Sequence, residues 1–107
     1  MPPGVLLAIA IVVEVTATIA LRYSEGFTKL GPTAIVVVGY GTCFFLISLV
    51  MKHFEVGFTY AVWSGIGTAL IAIVGIVALG ESATMIKGVS LALIVLGVAG
   101  LNLTTSH

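Results

Sequence analysis

The sequence contains few charged residues for its length of 107 residues. It has four Lys or Arg and four Asp or Glu, which together make up 7% of the chain, whereas hydrophobic residues make up 60%. Soluble domains carry about 25% charged residues, so this chain could not cover the surface of a water-soluble fold with polar groups. The composition excludes an ordinary soluble domain and predicts a protein that is surrounded by lipid.

The sequence also lacks the features of several functional classes. The formal net charge is zero and no basic cluster is present, which argues against nucleic acid as a partner. A single cysteine, Cys43, excludes an intramolecular disulfide, and we expect it to pack in the interior. His53 and His107 have no metal-ligand spacing, and no nucleophile–base pair or phosphate-binding glycine loop is present. We therefore expect no metal, no cofactor and no enzymatic activity.

Four apolar runs, separated by short polar loops, account for most of the chain. They comprise residues 5–21, 33–51, 58–79 and 85–103, and each fits the roughly 17 to 25 residues that a transmembrane helix needs. Because the bilayer interior offers no hydrogen-bond partners to the backbone, the runs are predicted to be helices. No basic residue precedes the first run, so we interpret it as a retained span and not as a signal peptide. The sequence predicts one all-α transmembrane domain, residues 1–107.

The basic residues show little preference for one side of the membrane. With four spans, Arg22, Lys29 and Lys87 fall on one side, and Lys52 falls on the other with both termini. Such a difference is a weak bias under the positive-inside rule. A chain with so weak a bias could insert in both orientations, which would allow two identical chains to form an antiparallel dimer.

Glu14 is the only ionisable side chain deep inside any of the four runs. A charge at the bilayer centre costs about 2.5–3.5 kcal/mol on insertion scales, and intramembrane acids usually face a bundle interior or a water-filled cavity. A carboxylate that binds either a proton or a cation, but not both, would couple the movements of the two. The alternative is an acid that only joins helices through hydrogen bonds.

Small and hydroxyl-bearing residues are expected near this acid. Thr18 lies one turn after Glu14 on the same face, and its hydroxyl could bond the carboxylate, a ligand or a carbonyl of its own helix. Ala10 and Ala17 share this face, and their small size leaves room beside the acid. Tyr40 lies inside the second run, where its phenol needs a partner such as a carboxylate or water.

The third run contains two aromatic residues followed by two glycines. Tyr60 and Trp63 are three residues apart and share a helix face. Aromatic faces attract cations, although tyrosine and tryptophan are also enriched at membrane interfaces; with a buried acid in the chain, we favour a cation site. Gly65 and Gly67 either allow close packing or weaken the helix, and their spacing favours a bend.

The fourth run carries a stripe of small residues that includes Ser90, Gly97 and Gly100. Small residues let transmembrane helices approach closely and associate. We interpret this run as a dimerisation helix; the alternative is packing within one chain.

Five short segments occur in order along the chain: EVTAT, SEGFTKLGP, YAVWSGIGTA, GES and LIVLGVAGLNL. Together they resemble the small multidrug resistance family of bacterial proton-coupled exporters, over essentially the whole length. The resemblance implies an antiparallel homodimer in the bacterial inner membrane, with Glu14 of both protomers binding either protons or one cationic substrate.

The resemblance also implies roles for the other candidate residues. The family's aromatic contacts map onto Tyr40, Tyr60 and Trp63, and its substrate-site threonine maps onto Thr18. The glycines at its helix kink map onto Gly65 and Gly67, and its dimer contacts map onto Ser90 and Gly97.

The family divides into branches with different substrates. One branch exports bulky quaternary ammonium and aromatic cations, and another exports small guanidinium compounds. Thr18, Tyr40 and the lack of a tryptophan just after Glu14 favour the first branch, whereas the segment that begins with GES is more similar to the second. Gly31 departs from the tryptophan that is frequent in multidrug members, and Ser90 stands where glycine is common. Some members function only with a paired, non-identical subunit.

The sequence therefore predicts a proton-coupled antiporter for hydrophobic and quaternary ammonium cations, with proton and substrate competing for Glu14. The nearest alternative is a guanidinium exporter of the same family. A non-transporting assembly subunit would tolerate Glu14→Gln and bind no cation. A lipid-carrier flippase would require a buried Arg or Lys, which the apolar runs do not provide.

Overall fold

The described part of the chain, residues 1–104 of a computed structural model, consists of four α-helices joined by short loops. Helix α1 spans Pro3–Tyr23, α2 Leu30–Val50, α3 Val56–Ala78 and α4 Met85–Thr104. All four are long and apolar enough to cross a membrane, and none of the described residues forms a strand. The prediction of an all-α membrane protein with four spanning helices is confirmed. His107 lies outside the described residues.

The first compact unit, Met1–His53, consists of α1 packed against α2. Apolar side chains from both helices form its core: Leu7, Ala10, Ile11, Val15, Ala17, Ala20, Val36, Cys43, Ile47 and Val50. Ala10, Ala17 and Cys43 are fully buried, and such small side chains let two transmembrane helices approach closely. The expectation that Cys43 packs in the interior agrees with this position.

The loop between α1 and α2 is closed by the buried side chain of Ser24. Its hydroxyl donates to the carbonyl oxygen of Leu21 at 2.7 Å and accepts the N–H of Phe27 at 3.2 Å. Its carbonyl oxygen accepts the N–H groups of Thr28 and Lys29 at 2.9 and 3.1 Å. These bonds satisfy backbone groups that the end of α1 leaves open, so the loop is a defined turn.

Helix α2 begins earlier than the apolar run predicts. The predicted span starts after Pro32, whereas the helix starts at Leu30. A proline in the first helical turn costs no intrahelical hydrogen bond, because the N–H groups of that turn have no partner inside the helix.

The second compact unit, described over residues 54–104, consists of α3 packed against α4. Gly65 of α3 faces α4, and a Cβ atom added there would lie 3.0 Å from a methyl group of Val98 and 3.2 Å from one of Ile94. The two helices can approach closely at this point because Gly65 has no side chain.

Both ends of the loop between α3 and α4 have defined caps. The N–H groups of Leu79 and Glu81 donate to the carbonyl oxygen of Gly75, and Gly80 between them has φ +73°. This left-handed conformation favours glycine. At the start of α4, the Thr84 hydroxyl accepts the N–H of Lys87 at 3.1 Å, as expected of an N-cap threonine.

Candidate functional site

Glu14 lies near the middle of α1 and is partly buried. The hydroxyl of Thr18, one turn further along the helix, donates to Oε1 of Glu14 at 3.0 Å. Of the options open to Thr18 on sequence grounds, the structure therefore shows the bond to the carboxylate. Thr16, two residues earlier, instead donates to the carbonyl oxygen of Val12 in its own helix at 2.9 Å.

Tyr40 of α2 extends this arrangement. Its hydroxyl oxygen lies 2.5 Å from Oγ1 of Thr18. A threonine hydroxyl has one hydrogen to donate and lone pairs to accept. When Thr18 donates to Glu14, Tyr40 must donate to Thr18, which gives a directed chain from phenol to hydroxyl to carboxylate. The partner of the Tyr40 phenol is thus a hydroxyl that itself contacts the acid.

The two carboxylate oxygens of Glu14 differ in their hydrogen bonding. Oε2 is buried and has no hydrogen-bond partner among residues 1–104. A buried polar atom without a partner costs free energy, and more so if it is charged. Oε2 is therefore the atom of this site that can best be stabilised by a proton or by a cation.

The hydroxyl chain depends on close contact between α1 and α2. A Cβ atom added to Gly39 would lie 2.8 Å from Cβ of Ala17, a distance that real Cβ atoms essentially never show. These two residues directly precede Tyr40 and Thr18 in the chain. The small size of Ala17, expected to leave room beside the acid, instead allows α2 to approach α1.

The two aromatic candidates form a pair on α3. The ring centroids of Tyr60 and Trp63 are 5.8 Å apart and the planes meet at 73°, an edge-to-face arrangement that is favourable for aromatic rings. Tyr60 is 58% exposed within the chain, so its ring is accessible to a ligand or to lipid. The structure thus confirms that the two rings share a face of the helix.

The two glycines of α3 lie within a continuous helix, Val56–Ala78. Gly67 is buried, and Gly65 packs against α4 as described above. Close packing is therefore an observed role of Gly65, and the bend at the pair remains a prediction.

Ser90 and Gly97 have different surroundings on α4. Ser90 lines a cavity of about 340 Å³ between α3 and α4, together with Thr68 and Lys87 among others. A Cβ atom added to Gly97 would meet no heavy atom within 4 Å other than those of its chain neighbours and of the backbone of its own helix. No residue of Met85–Thr104 is buried within the chain.

The described residues contain no group of three or more His, Cys, Asp or Glu side chains close enough to hold a metal ion. The site around Glu14 therefore combines one carboxylate with the hydroxyl groups of Thr18 and Tyr40.

Sequence reasoning did not identify Gly39 as part of this site. The residue lies in the segment GYG between Val38 and Thr42, where a glycine stands on each side of the tyrosine and no pattern singles out Gly39. Gly41, in the same segment, has open space around it, so the two glycines differ only in their packing.

Comparisons with known proteins agree on one family. A family model for "Small Multidrug Resistance protein" matches residues 4–94. The quaternary ammonium compound-resistance protein QacE of Escherichia coli is 50% identical over 97 residues, which cover 91% of this chain and 88% of that protein. The quaternary ammonium compound-resistance protein QacF of Klebsiella aerogenes is 44% identical over 99 residues, which cover 92% of this chain and 90% of that protein. A guanidinium exporter of Escherichia coli strain K12 is 46% identical over 101 residues, covering 94% and 96%.

Proposed function

The chain belongs to the small multidrug resistance family, and we propose that it exports hydrophobic and quaternary ammonium cations in exchange for protons. It is a multi-pass transport protein of the bacterial inner membrane. The observation that carries the proposal is the environment of Glu14. One of its oxygens accepts a hydrogen bond from Thr18, and the other is buried without a partner among the described residues.

Competition of the proton and the cation for the Glu14 carboxylate couples their movements across the membrane. A proton on Oε2 neutralises Glu14 and removes its attraction for a cation, whereas a bound cation favours the ionised carboxylate and expels the proton. Because the two ligands exclude each other, a cation can leave only as a proton arrives, and inward proton flow drives export.

Thr18 and Tyr40 are proposed to orient the acid. The Thr18 hydroxyl occupies Oε1, so the exchange of proton and cation takes place at Oε2. The Tyr40 hydroxyl, 2.5 Å from Thr18, holds the Thr18 hydrogen directed at the carboxylate. A donor to an ionised carboxylate stabilises its charge, which favours the state that binds the cation.

For the second unit, we propose that the pair of Tyr60 and Trp63 contacts the organic groups of the cation. Aromatic faces attract quaternary ammonium groups through the ring quadrupole. A quaternary ammonium ion has no N–H to donate, so charge and aromatic surface are sufficient for binding. Few directed hydrogen bonds discriminate between such ligands, which explains how one site can accept cations of different shape.

We propose an antiparallel homodimer as the working unit, with Ser90 and Gly97 of α4 at the contact between protomers. The open surroundings of Gly97 and the absence of buried residues in Met85–Thr104 support it, as does the weak charge bias of the loops. A paired homologous subunit could occupy the same face.

Bending of α3 at Gly65 and Gly67 is proposed to open the site to each side in turn.

A second candidate is export of guanidinium compounds, which the 46% identity to a guanidinium exporter favours. Guanidinium is planar and donates several hydrogen bonds through its N–H groups. It would therefore need acceptors such as both carboxylate oxygens and the Thr18 hydroxyl oxygen. Both candidates use Glu14, and they differ in the size and hydrogen bonding of the cation.

Transport into proteoliposomes separates the candidates. A pH gradient is imposed across vesicles that contain the purified protein, and uptake of tetraphenylphosphonium and of guanidinium is measured in parallel. We expect uptake of the bulky cation, its loss in Glu14→Gln, and no loss in Glu55→Gln, which changes an acid at the start of α3. Uptake of guanidinium alone would support the second candidate. Gradient-independent uptake, or unchanged uptake by Glu14→Gln, would contradict both.

A further inference from the structure

A separate cavity lies at the edge of the first unit, where α1 ends and α2 begins. It has a volume of about 650 Å³ and is lined by Arg22, Tyr23, Glu25, Lys29 and Pro32. Arg22 lies eight residues beyond Glu14, about 12 Å further along the helix axis. The site around Glu14 includes none of these residues, so a role for the cavity has to be sought separately.

The position of this cavity corresponds to the headgroup level of the bilayer. Arg22 and Tyr23 directly follow the first apolar run, and Lys29 immediately precedes α2. Basic and aromatic side chains at the ends of transmembrane helices lie in the interfacial region, where lipid phosphate groups are found. Tyr23, which lines the cavity, is 53% exposed, so its ring offers apolar surface at the cavity for the upper part of a lipid.

The charges in the cavity are not balanced within the described residues. Lys29 pairs with Glu25 at 3.4 Å between Nζ and Oε2. For Arg22, no acidic group of residues 1–104 lies within ion-pair distance. Two cations and one acid leave a net positive charge on the cavity wall, and a guanidinium can bind phosphate oxygens through two parallel hydrogen bonds.

The cavity wall is also held in place by the backbone. The hydrogen bonds of Ser24 close the turn that places Lys29 near the end of α1. Within this turn Glu25, Gly26 and Phe27 have φ values of 48°, 73° and 67°, a left-handed stretch that reverses the chain. A ligand would therefore meet a wall whose backbone is already ordered, which reduces the entropic cost of binding.

We propose that this cavity binds the phosphate of an anionic phospholipid such as phosphatidylglycerol. Arg22 contacts the phosphate, and Lys29 contributes through its charge while it remains paired with Glu25. The exposed ring of Tyr23 contacts the glycerol and the start of the acyl chains. The interfacial position and the exposed ring of Tyr23 favour a lipid over a free phosphate ion, which would gain nothing from contact with the ring.

Lipid retention by the full chain tests this site. The protein is purified in mild detergent, equilibrated with mixed micelles of phosphatidylglycerol or of phosphatidylcholine, and its bound lipids are counted by native mass spectrometry. Arg22→Gln removes the guanidinium. Lys52→Gln is the matched control, because it removes an exposed cation at a different membrane edge. Glu25→Gln releases Lys29 from its ion pair. A further sample contains a large excess of inorganic phosphate as competitor.

The proposal predicts preferential retention of phosphatidylglycerol, lowered about fivefold by Arg22→Gln, since one basic residue near a membrane surface contributes about 1 kcal/mol. It predicts unchanged retention of phosphatidylglycerol by Lys52→Gln, increased retention by Glu25→Gln, and no displacement of the lipid by inorganic phosphate. Increased retention by Glu25→Gln cannot result from misfolding, because a misfolded variant would lose bound lipid. Equal retention of the two lipids by the unmodified protein would overturn the proposal, as would equal losses in Arg22→Gln and Lys52→Gln. Displacement by inorganic phosphate would assign the cavity to a free anion instead.

Discussion

The hydroxyl of Tyr40 lies 2.5 Å from that of Thr18, so α2 reaches the acid of α1 through a side chain of α1 itself. Thr18 in turn donates to Oε1 of Glu14 at 3.0 Å. A substitution at either hydroxyl therefore changes the surroundings of the carboxylate without removing it. This separation of the acid from the groups that orient it makes the roles of the residues individually testable.

Replacing Thr18 by valine keeps the shape of the side chain and removes the donor to Glu14. Hydrogen bonds to charged groups contribute about 1.5–3 kcal/mol, so we expect the affinity for tetraphenylphosphonium at neutral pH to fall about tenfold or more. Isothermal titration of the purified protein measures this affinity. Thr16→Val is the matched control, since Thr16 bonds only its own helix. Equal affinities for the two variants would show that the Thr18 bond does not matter for binding.

Replacing Tyr40 by phenylalanine tests the directed chain. The ring remains and keeps its stacked contact with Phe44, whose centroid is 6.3 Å away, but Thr18 loses its donor. We expect a smaller loss of cation affinity than for Thr18→Val. In the double variant, the loss should equal that of Thr18→Val alone, because Tyr40 acts through Thr18. Additive losses would contradict the chain and indicate that the phenol contacts the cation independently.

The contact between Gly39 and Ala17 predicts opposite effects for two neighbouring glycines. Gly39→Ala places a methyl group 2.8 Å from Cβ of Ala17, and overpacking of this kind costs about 1–3 kcal/mol. We expect a lower melting temperature in detergent. Gly41→Ala meets open space and should raise the melting temperature, since alanine favours a helix by about 1 kcal/mol over glycine.

The variant Ala17→Gly supplies the control for this contact. Combined with Gly39→Ala, it removes the clashing methyl group and should restore most of the lost stability. A combined variant no more stable than Gly39→Ala would show that the helices do not meet at these residues.

The proposed dimer contact on α4 is tested by bulky substitutions on opposite faces. Gly97 and Gly88 both have open space around them within the chain, and their separation of nine residues places them roughly 180° apart around the helix. We expect Gly97→Leu to shift the purified protein from dimer to monomer in analytical ultracentrifugation, and Gly88→Leu to leave it dimeric. Dissociation by Gly88→Leu alone would place the contact on the other face.

Much of the helical architecture was predictable because a bilayer allows few alternatives to an apolar helix. The proximity of Thr18 to Glu14 was also predictable, since residues four apart meet on one helix face. The bond from Tyr40 to Thr18 was not, because it depends on the register between α1 and α2. Gly39 packs on Ala17 in this interface, and no local pattern distinguishes Gly39 from Gly41. The start of α2 at Leu30 was missed for a related reason, since composition alone does not show that Pro32 lies inside a first helical turn.

The central claim is that Glu14 exchanges a proton for a cation, and proton release upon binding measures this most directly. Tetraphenylphosphonium is added to unbuffered, detergent-solubilised protein, and the change in pH is recorded. Glu14→Gln and Glu55→Gln are measured alongside, and guanidinium is added to a separate sample. We predict proton release by the unmodified protein and by Glu55→Gln, and none by Glu14→Gln. Binding of either cation to folded protein without proton release, or release that persists in Glu14→Gln, would contradict the account.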